Sequence, residues 1–170
     1  MLARHNGGVS ADPPSPNDGV PTARSREFAP LAIGPLPVWP PIVLAPMAGV
    51  TNAPFRRLCR RFGAGLYVSE MVTARALVEG NQRSRRLAGF GDDESPRSLQ
   101  LYGTDPDAVG AAVELAVGPG AVDHVDLNFG CPAKKITRHG GGAAIPVKRR
   151  LLAAIVRAAV RAAGDVPVTI

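Results

Sequence analysis

Residues 42–62 read IVLAPMAGVTNAPFRRLCRRF, and the change of period within that stretch decides the fold. Ile42-Val43-Leu44-Ala45 is a short apolar run of the kind that forms a strand buried on both faces. Thr51 and Asn52 offer a cap and Pro54 suits a first helical turn. Phe55, Leu58, Cys59 and Phe62 then recur at i, i+3, i+4 and i+7. That spacing predicts a helix with Cys59 in its apolar stripe and Arg56, Arg57, Arg60 and Arg61 on the opposite face. Gly63-Ala64-Gly65 ends it before a second apolar run, Leu66-Tyr67-Val68.

The same rhythm continues toward the carboxyl terminus. A helical stretch from about Val72 to Val78 and an Arg-rich connection precede a strand at Ser98-Leu99-Gln100-Leu101, and Thr104 and Pro106 open a further helix. His124-Val125-Asp126-Leu127 reads as a fourth strand followed by a long loop to Gly142. Residues 148–163 form an amphipathic helix, and Val166 to Ile170 start a fifth strand. Strands joined by helical crossovers run parallel, which leaves an open doubly wound sheet or a barrel. A complete (β/α)8 barrel needs about 250 residues, and residues 42–170 are about half that. The expectation is an α/β fold, the amino-terminal half of a TIM (β/α)8 barrel truncated after about the fifth strand, with an autonomous five-stranded sheet as the alternative.

In the other direction the pattern dissolves. Pro35, Pro37, Pro40 and Pro41 punctuate an extended lead-in. Residues 1–30 are rich in Pro, Ser, Gly and Asp without apolar periodicity, the composition of a disordered extension. Residues 31–170 are then the folded domain. They also hold the whole net charge of +6, because Arg4, Arg24 and Arg26 are balanced by Asp12, Asp18 and Glu27 within the extension. A basic fold concentrates polyanions such as RNA, or simply carries a solvated basic face. With aromatics at 5%, a dense stacking platform for single-stranded nucleic acid is excluded. Two cysteines are too few for a disulfide scaffold. No apolar run approaches the roughly 20 residues of a membrane span and no signal-peptide stretch opens the sequence, so a cytoplasmic protein away from membranes is expected.

In parallel α/β folds ligands bind beyond the carboxyl ends of the strands. Those loops hold Ala45-Pro46-Met47-Ala48-Gly49, Ser69-Glu70-Met71, Gln100 to Gly103, and Asn128-Phe129-Gly130-Cys131-Pro132. Met47 alone is a gap-filler of the ordinary kind, but its Pro and Gly neighbours set up a tight turn where backbone amides approach a planar ligand. Gln100 and Asn128 each carry a donor and an acceptor, suited to the alternating edge of an isoalloxazine or pyrimidine ring or to internal satisfaction. Cys131 lies outside any apolar stripe, between Gly130 and Pro132. It is either a reactive nucleophile or general acid, or an inert loop thiol. No second Cys or His lies at ligand spacing from it, so no metal is expected. Lys134, Lys135, Arg138 and His139 follow, a cluster that holds phosphate oxygens or is solvated. Gly140-Gly141-Gly142 matches no phosphate-cradle pattern and reads as a flexible hinge.

Taken together, APMAGVTNAPFR at 45–56, SEM at 69–71, QLYG at 100–103 and DLNFGCPAKKI at 126–136 resemble the tRNA-dihydrouridine synthases. The resemblance extends from about Ile33 to Ile170. Asn52 stands where that family often has Asp, and Tyr102 where Phe is usual. The resemblance implies an FMN-binding barrel followed by a helical tRNA-binding domain, with NADPH reducing the flavin and uridine in tRNA becoming dihydrouridine. It implies Pro46, Met47 and Ala48 as the flavin-contacting turn, Gln100 and Asn128 as polar ligands of the ring, and Cys131 as the catalytic acid. Glu70, Lys134 and Arg138 are implied near the substrate. Residues of the remaining barrel and of the helical domain have no counterpart up to Ile170, so weak flavin binding without activity is expected of this chain alone. The competing readings are another FMN barrel reducing a small pyrimidine, and an inactive remnant that retains RNA binding.

Overall fold

The computed structural model describes residues 27–118 and 121–170. The extension expected at 1–30 falls outside the described residues up to 26. Its last four, 27–30, are exposed.

The predicted five strands are present: β3 (Val43–Leu44), β4 (Leu66–Val68), β6 (Arg97–Tyr102), β7 (His124–Leu127) and β8 (Val168–Thr169). They form one sheet in the order β3-β4-β6-β7-β8, every pair parallel. Sequential strands lie side by side and curl into a half-barrel. Between them run α1 (Ala53–Arg60), α2 (Ala74–Val78), α3 (Gln82–Leu87), α4 (Pro106–Val117), α5 (Lys134–Thr137) and α6 (Arg149–Ala163). A short strand β5 (Val72–Thr73) pairs with the end of β6. It continues the line of β4 after an interruption at residues 69–71. There the Ser69 hydroxyl accepts from the Gln100 amide at 3.0 Å, standing in for a ladder carbonyl. Within the expected Val72–Val78 helix, residues 72–73 are therefore strand. The expected long loop to Gly142 contains α5 and a 3-10 turn at Gly142–Ala144.

Two faces of the sheet have different chemistry. Leu99 and Leu101 of β6 and Val125 and Leu127 of β7 point to the helices, where they join Val109, Val113, Ile155 and Ala159 in the main core. Each such fully buried side chain contributes about 1.5–3 kcal/mol. Period 2 puts Ser98, Gln100, His124 and Asp126 on the opposite, inward face. Barrel interiors are ordinarily filled by branched apolar side chains; this stretch of interior is polar.

The Pro-punctuated lead-in is a β-hairpin, β1 (Leu31–Ile33) with β2 (Leu36–Val38), turned at Gly34 with φ +56°. A positive φ at the first central residue is what a two-residue hairpin demands. Val38 is fully buried against Leu66 and Val68, and Gly34 approaches Pro167 just before β8. The hairpin thus plugs the amino-terminal end of the half-barrel. The prolines disguised it because Pro37 faces away from the plug, on the exposed side of a two-stranded edge.

Helix α1 departs from its predicted face. Asn52 caps it, its side chain accepting from Phe55 N at 3.1 Å. But Arg56 is completely buried, whereas Leu58 and Phe62 are about half exposed. The reason is a carboxylate distant in sequence: Arg56 Nε and Nη2 donate to Glu94 Oε1 and Oε2 at 2.7 and 2.9 Å, and Nη1 donates to Thr51 O at 2.8 Å. The Phe90 ring lies 4.9 Å from the guanidinium carbon. Strand β3 is not buried on both faces either, since Ile42 and Val43 are exposed along the sheet edge.

Candidate functional site

All the sequence-predicted site residues lie on segments that leave the carboxyl ends of the strands, or on the strand ends themselves. After β3, the turn at Pro46-Met47-Ala48-Gly49 is closed by Val50 N and Thr51 N, both donating to Met47 O at 3.0 Å, and by Met47 N donating to Thr51 Oγ1 at 3.0 Å. Gly49 has φ +77°, a conformation costly for other residues. Its N–H donates to Glu70 Oε2 at 2.7 Å. Glu70 is buried, so it ties the β3 and β4 loops together. Arg56 grips the same turn from behind through Thr51 O. Met47 itself is exposed.

The loop after β7 is equally fixed. Cys131 N donates to Asn128 Oδ1 at 2.9 Å, and Cys131 O accepts from Ala143 N at 3.1 Å. Cys131 is a free, partly exposed thiol. The glycine run is no hinge at this point. Gly142 has φ +53°, and a Cβ there would meet the Cys131 carbonyl oxygen at 2.5 Å. Only glycine lets the chain pack this closely behind the cysteine.

A chain of hydrogen bonds connects this loop to the bottom of the inward face. Asn128 Nδ2 donates to Gln100 Oε1 at 3.0 Å, and Gln100 Nε2 donates to Asp126 Oδ2 at 2.6 Å. Thr169 Oγ1 donates to Asp126 Oδ1 at 2.5 Å. His124 Nε2 meets Thr169 Oγ1 at 2.9 Å, and His124 Nδ1 meets Ser98 Oγ at 2.7 Å. Strand register makes this possible, since Ser98 is opposite His124, Gln100 opposite Asp126, and Asp126 opposite Thr169. Burial holds the His124 pKa below the ordinary imidazole value, against a smaller opposing pull from Asp126. With the Thr169 proton given to Asp126, His124 Nε2 is the donor to Thr169 Oγ1 and Nδ1 accepts from Ser98 Oγ.

Both readings of Gln100 and Asn128 meet in this network. Each amide oxygen is engaged internally, while each NH2 spends one hydrogen on a neighbour and keeps the other. Sequence reasoning missed Asp126, His124 and Thr169 as members. The two-residue spacing of His124, Asp126 and Asn128 was the available signal, and it places all three on one face.

Two cavities adjoin the site and share Thr73, Tyr102, Lys135 and Ile136. One, of about 400 Å³, is floored by Ala48, Gly49 and Glu70 and has Arg83 at its wall. The other, of about 260 Å³, includes Arg75 and His139. Of the basic cluster, Lys135 and His139 reach these cavities, whereas Lys134 and Arg138 line neither and are exposed on and beside α5. Asp105 holds Arg75 in an ion pair at 2.5 Å. No group of three or more His, Cys, Asp or Glu suited to a metal occurs among the described residues, and no helix among them is long and apolar enough to cross a membrane.

Residues 43–170 match the family model described as dihydrouridine synthase. A probable tRNA-dihydrouridine synthase of Mycobacterium tuberculosis is 53% identical over 160 residues, covering 87% of this chain and 41% of that protein. The tRNA-dihydrouridine synthase B of Pseudomonas aeruginosa is 48% identical over 139 residues, covering 81% of this chain and 41% of that protein. The chain thus spans about two fifths of the length of these curated relatives. With the strand-end loops carrying the family's motifs and the model fitting from β3 to the last residue, the chain belongs to the dihydrouridine synthase family.

Proposed function

We propose that residues 31–170 supply the flavin-facing half of the barrel of a tRNA-dihydrouridine synthase, which reduces uridine in tRNA to 5,6-dihydrouridine with FMN and NADPH. The observation that carries this reading is a single juxtaposition. A partly exposed thiol, Cys131, is pinned by Asn128 at the same strand ends where Asn128 and Gln100 each keep an uncommitted N–H. The donor set suits FMN, because two amide hydrogens and the exposed Met47 turn with Pro46 and Ala48 offer polar and apolar contact to a planar dione ring.

When bound and reduced by NADPH, FMN supplies hydride to one carbon of the uracil double bond. The chain's own residues do the rest. Cys131 holds a proton at Sγ and delivers it to the neighbouring carbon, the one alpha to the uracil carbonyl, from the opposite face. The backbone bonds of Cys131 to Asn128 and Ala143 fix the position from which it does so. Glu70 holds the Met47 turn through Gly49 N with one carboxylate oxygen, and it also lines the cavity beside that turn, where it lies near the substrate. Uridine must leave its stack to reach such a site, and the exposed Lys134, Lys135 and Arg138 hold the flanking phosphates. A protein acting on tRNA in this way is cytoplasmic.

Cys131→Ala tests the reading. In single-turnover assays of the full-length protein with FMN and tRNA, dihydrouridine formation falls by about 10²-fold or more, while the flavin stays bound and reducible by NADPH. Unchanged turnover removes the acid role.

A further inference from the structure

The polarity of the inward hydrogen-bond chain is set at both ends by groups that have no choice. The backbone N–H of Cys131 only donates, so the Asn128 atom facing it is the oxygen and Nδ2 faces Gln100. Gln100 then turns Oε1 to Asn128 and Nε2 to Asp126, whose carboxylate only accepts. From the other side, the Thr169 hydroxyl also donates to Asp126 and is backed by His124 Nε2 and, through Nδ1, by Ser98. Asp126 is the one carboxylate in this run of hydrogen bonds and accepts from both directions. Without it nothing distinguishes the two orientations of the Gln100 amide except the weaker, neutral bond to Asn128.

We infer that Asp126 is a positioning residue: held by Thr169, it fixes the Gln100 amide beside the Asn128 amide that Cys131 N orients, so that each keeps one N–H free, and these two donors favour the carbonyl groups of a pyrimidine-dione ring. This rests on the functional reading above and makes it more specific, since the hydrogens left on these two residues call for acceptors on the ligand edge that they meet. The flavin ring and uracil both offer such carbonyls, and the experiment separates them.

A charge-swapped pair tests the claim. Asp126→Asn replaces the charged acceptor by one amide oxygen: Gln100 Nε2 either loses its acceptor, or keeps a weaker neutral one while Thr169 Oγ1 accepts from the new amide nitrogen and turns its proton to His124. Gln100→Glu sets two carboxylates opposite each other where a 2.6 Å bond now stands. In the double variant every bond returns. The new amide at position 126 donates through its nitrogen to the new carboxylate at position 100 and accepts from Thr169 through its oxygen, and the new carboxylate accepts from Asn128. The one loss is the free Gln100 N–H. Melting temperature, FMN affinity by absorbance titration and tRNA affinity by filter binding are measured for all four forms of the full-length protein. Each single variant melts below wild type and the double variant recovers most of the difference, a coupling that additive behaviour would refute. The double variant nonetheless stays about tenfold or more weaker for FMN or for tRNA. A loss confined to FMN assigns the edge to the flavin, a loss confined to tRNA assigns it to the target base, and both support the inference. Wild-type affinity for both ligands in the stable double variant overturns it. A full-length wild-type protein that takes up no FMN refutes the functional reading instead, and the melting cycle then decides the role of Asp126 by itself.

Discussion

Two polar assemblies are buried in this half-barrel, and they differ in whether they are finished. The Arg56 cluster is nearly closed: four of the five guanidinium N–H groups go to Glu94, Thr51 and Gly89, with the Phe90 ring beside them. Its partners are two carboxylate oxygens and backbone carbonyls of the loops it binds together. The inward chain from Ser98 to Cys131 is open, with two amide hydrogens left over at its upper end. A nearly finished buried network stabilises a scaffold, whereas one with donors left at a strand end has hydrogens to offer to water or to a ligand. The two are linked mechanically. Arg56 holds Thr51, Thr51 closes the Met47 turn, and Glu70 joins that turn to the strand-end loops.

The sharpest way to break the closed assembly is Arg56→Ala, which strands Glu94 as an uncompensated buried carboxylate. A loss of about 3–5 kcal/mol in urea unfolding is expected. The paired change Arg56→Met with Glu94→Leu recovers most of it, since apolar side chains of similar volume need no partner. At the open assembly, Gly142→Ala forces a methyl group against the Cys131 carbonyl in a backbone conformation that disfavours it. A smaller loss of about 1–3 kcal/mol follows, with the cysteine displaced. Faster alkylation of Cys131 by iodoacetamide in the folded variant reports that displacement. The gentlest probe is pH. His124 has its folded pKa held below the ordinary value of 6.5 by burial. Between that lowered value and about 6.5 the unfolded chain binds more protons, so stability is full above this window and declines as pH falls through it. His124→Gln flattens that part of the stability curve in thermal melts at stepped pH, while Arg57→Ala at the exposed Asp93 pair does not change its shape.

Much of this was legible from residue pattern alone. The switch from the run at Ile42 to the helical spacing after Pro54, repeated through β8, gives the order of elements and the parallel sheet, because helical crossovers permit no other direction. The strand-end rule then brings Met47, Gln100, Asn128 and Cys131 to one end. Helix α1 shows where this stops. Its apolar stripe was real in the sequence, yet Leu58 and Phe62 are exposed and Arg56 is buried. The hairpin before Val43 was hidden for a similar reason: its prolines read as breakers, and only Leu66 and Val68 give Val38 something to plug.

Periodicity and local chemistry, then, determined which segments are strands and helices and which loops share an end, since both are set by neighbours a few residues apart. Only the tertiary structure decided which polar groups are spent and which remain free. Glu94 reaches Arg56 across 38 residues and Thr169 reaches Asp126 across 43. Hydrogen bonds at that separation depend on register and packing, and the leftover valence of a buried amide follows from the sum of its partners.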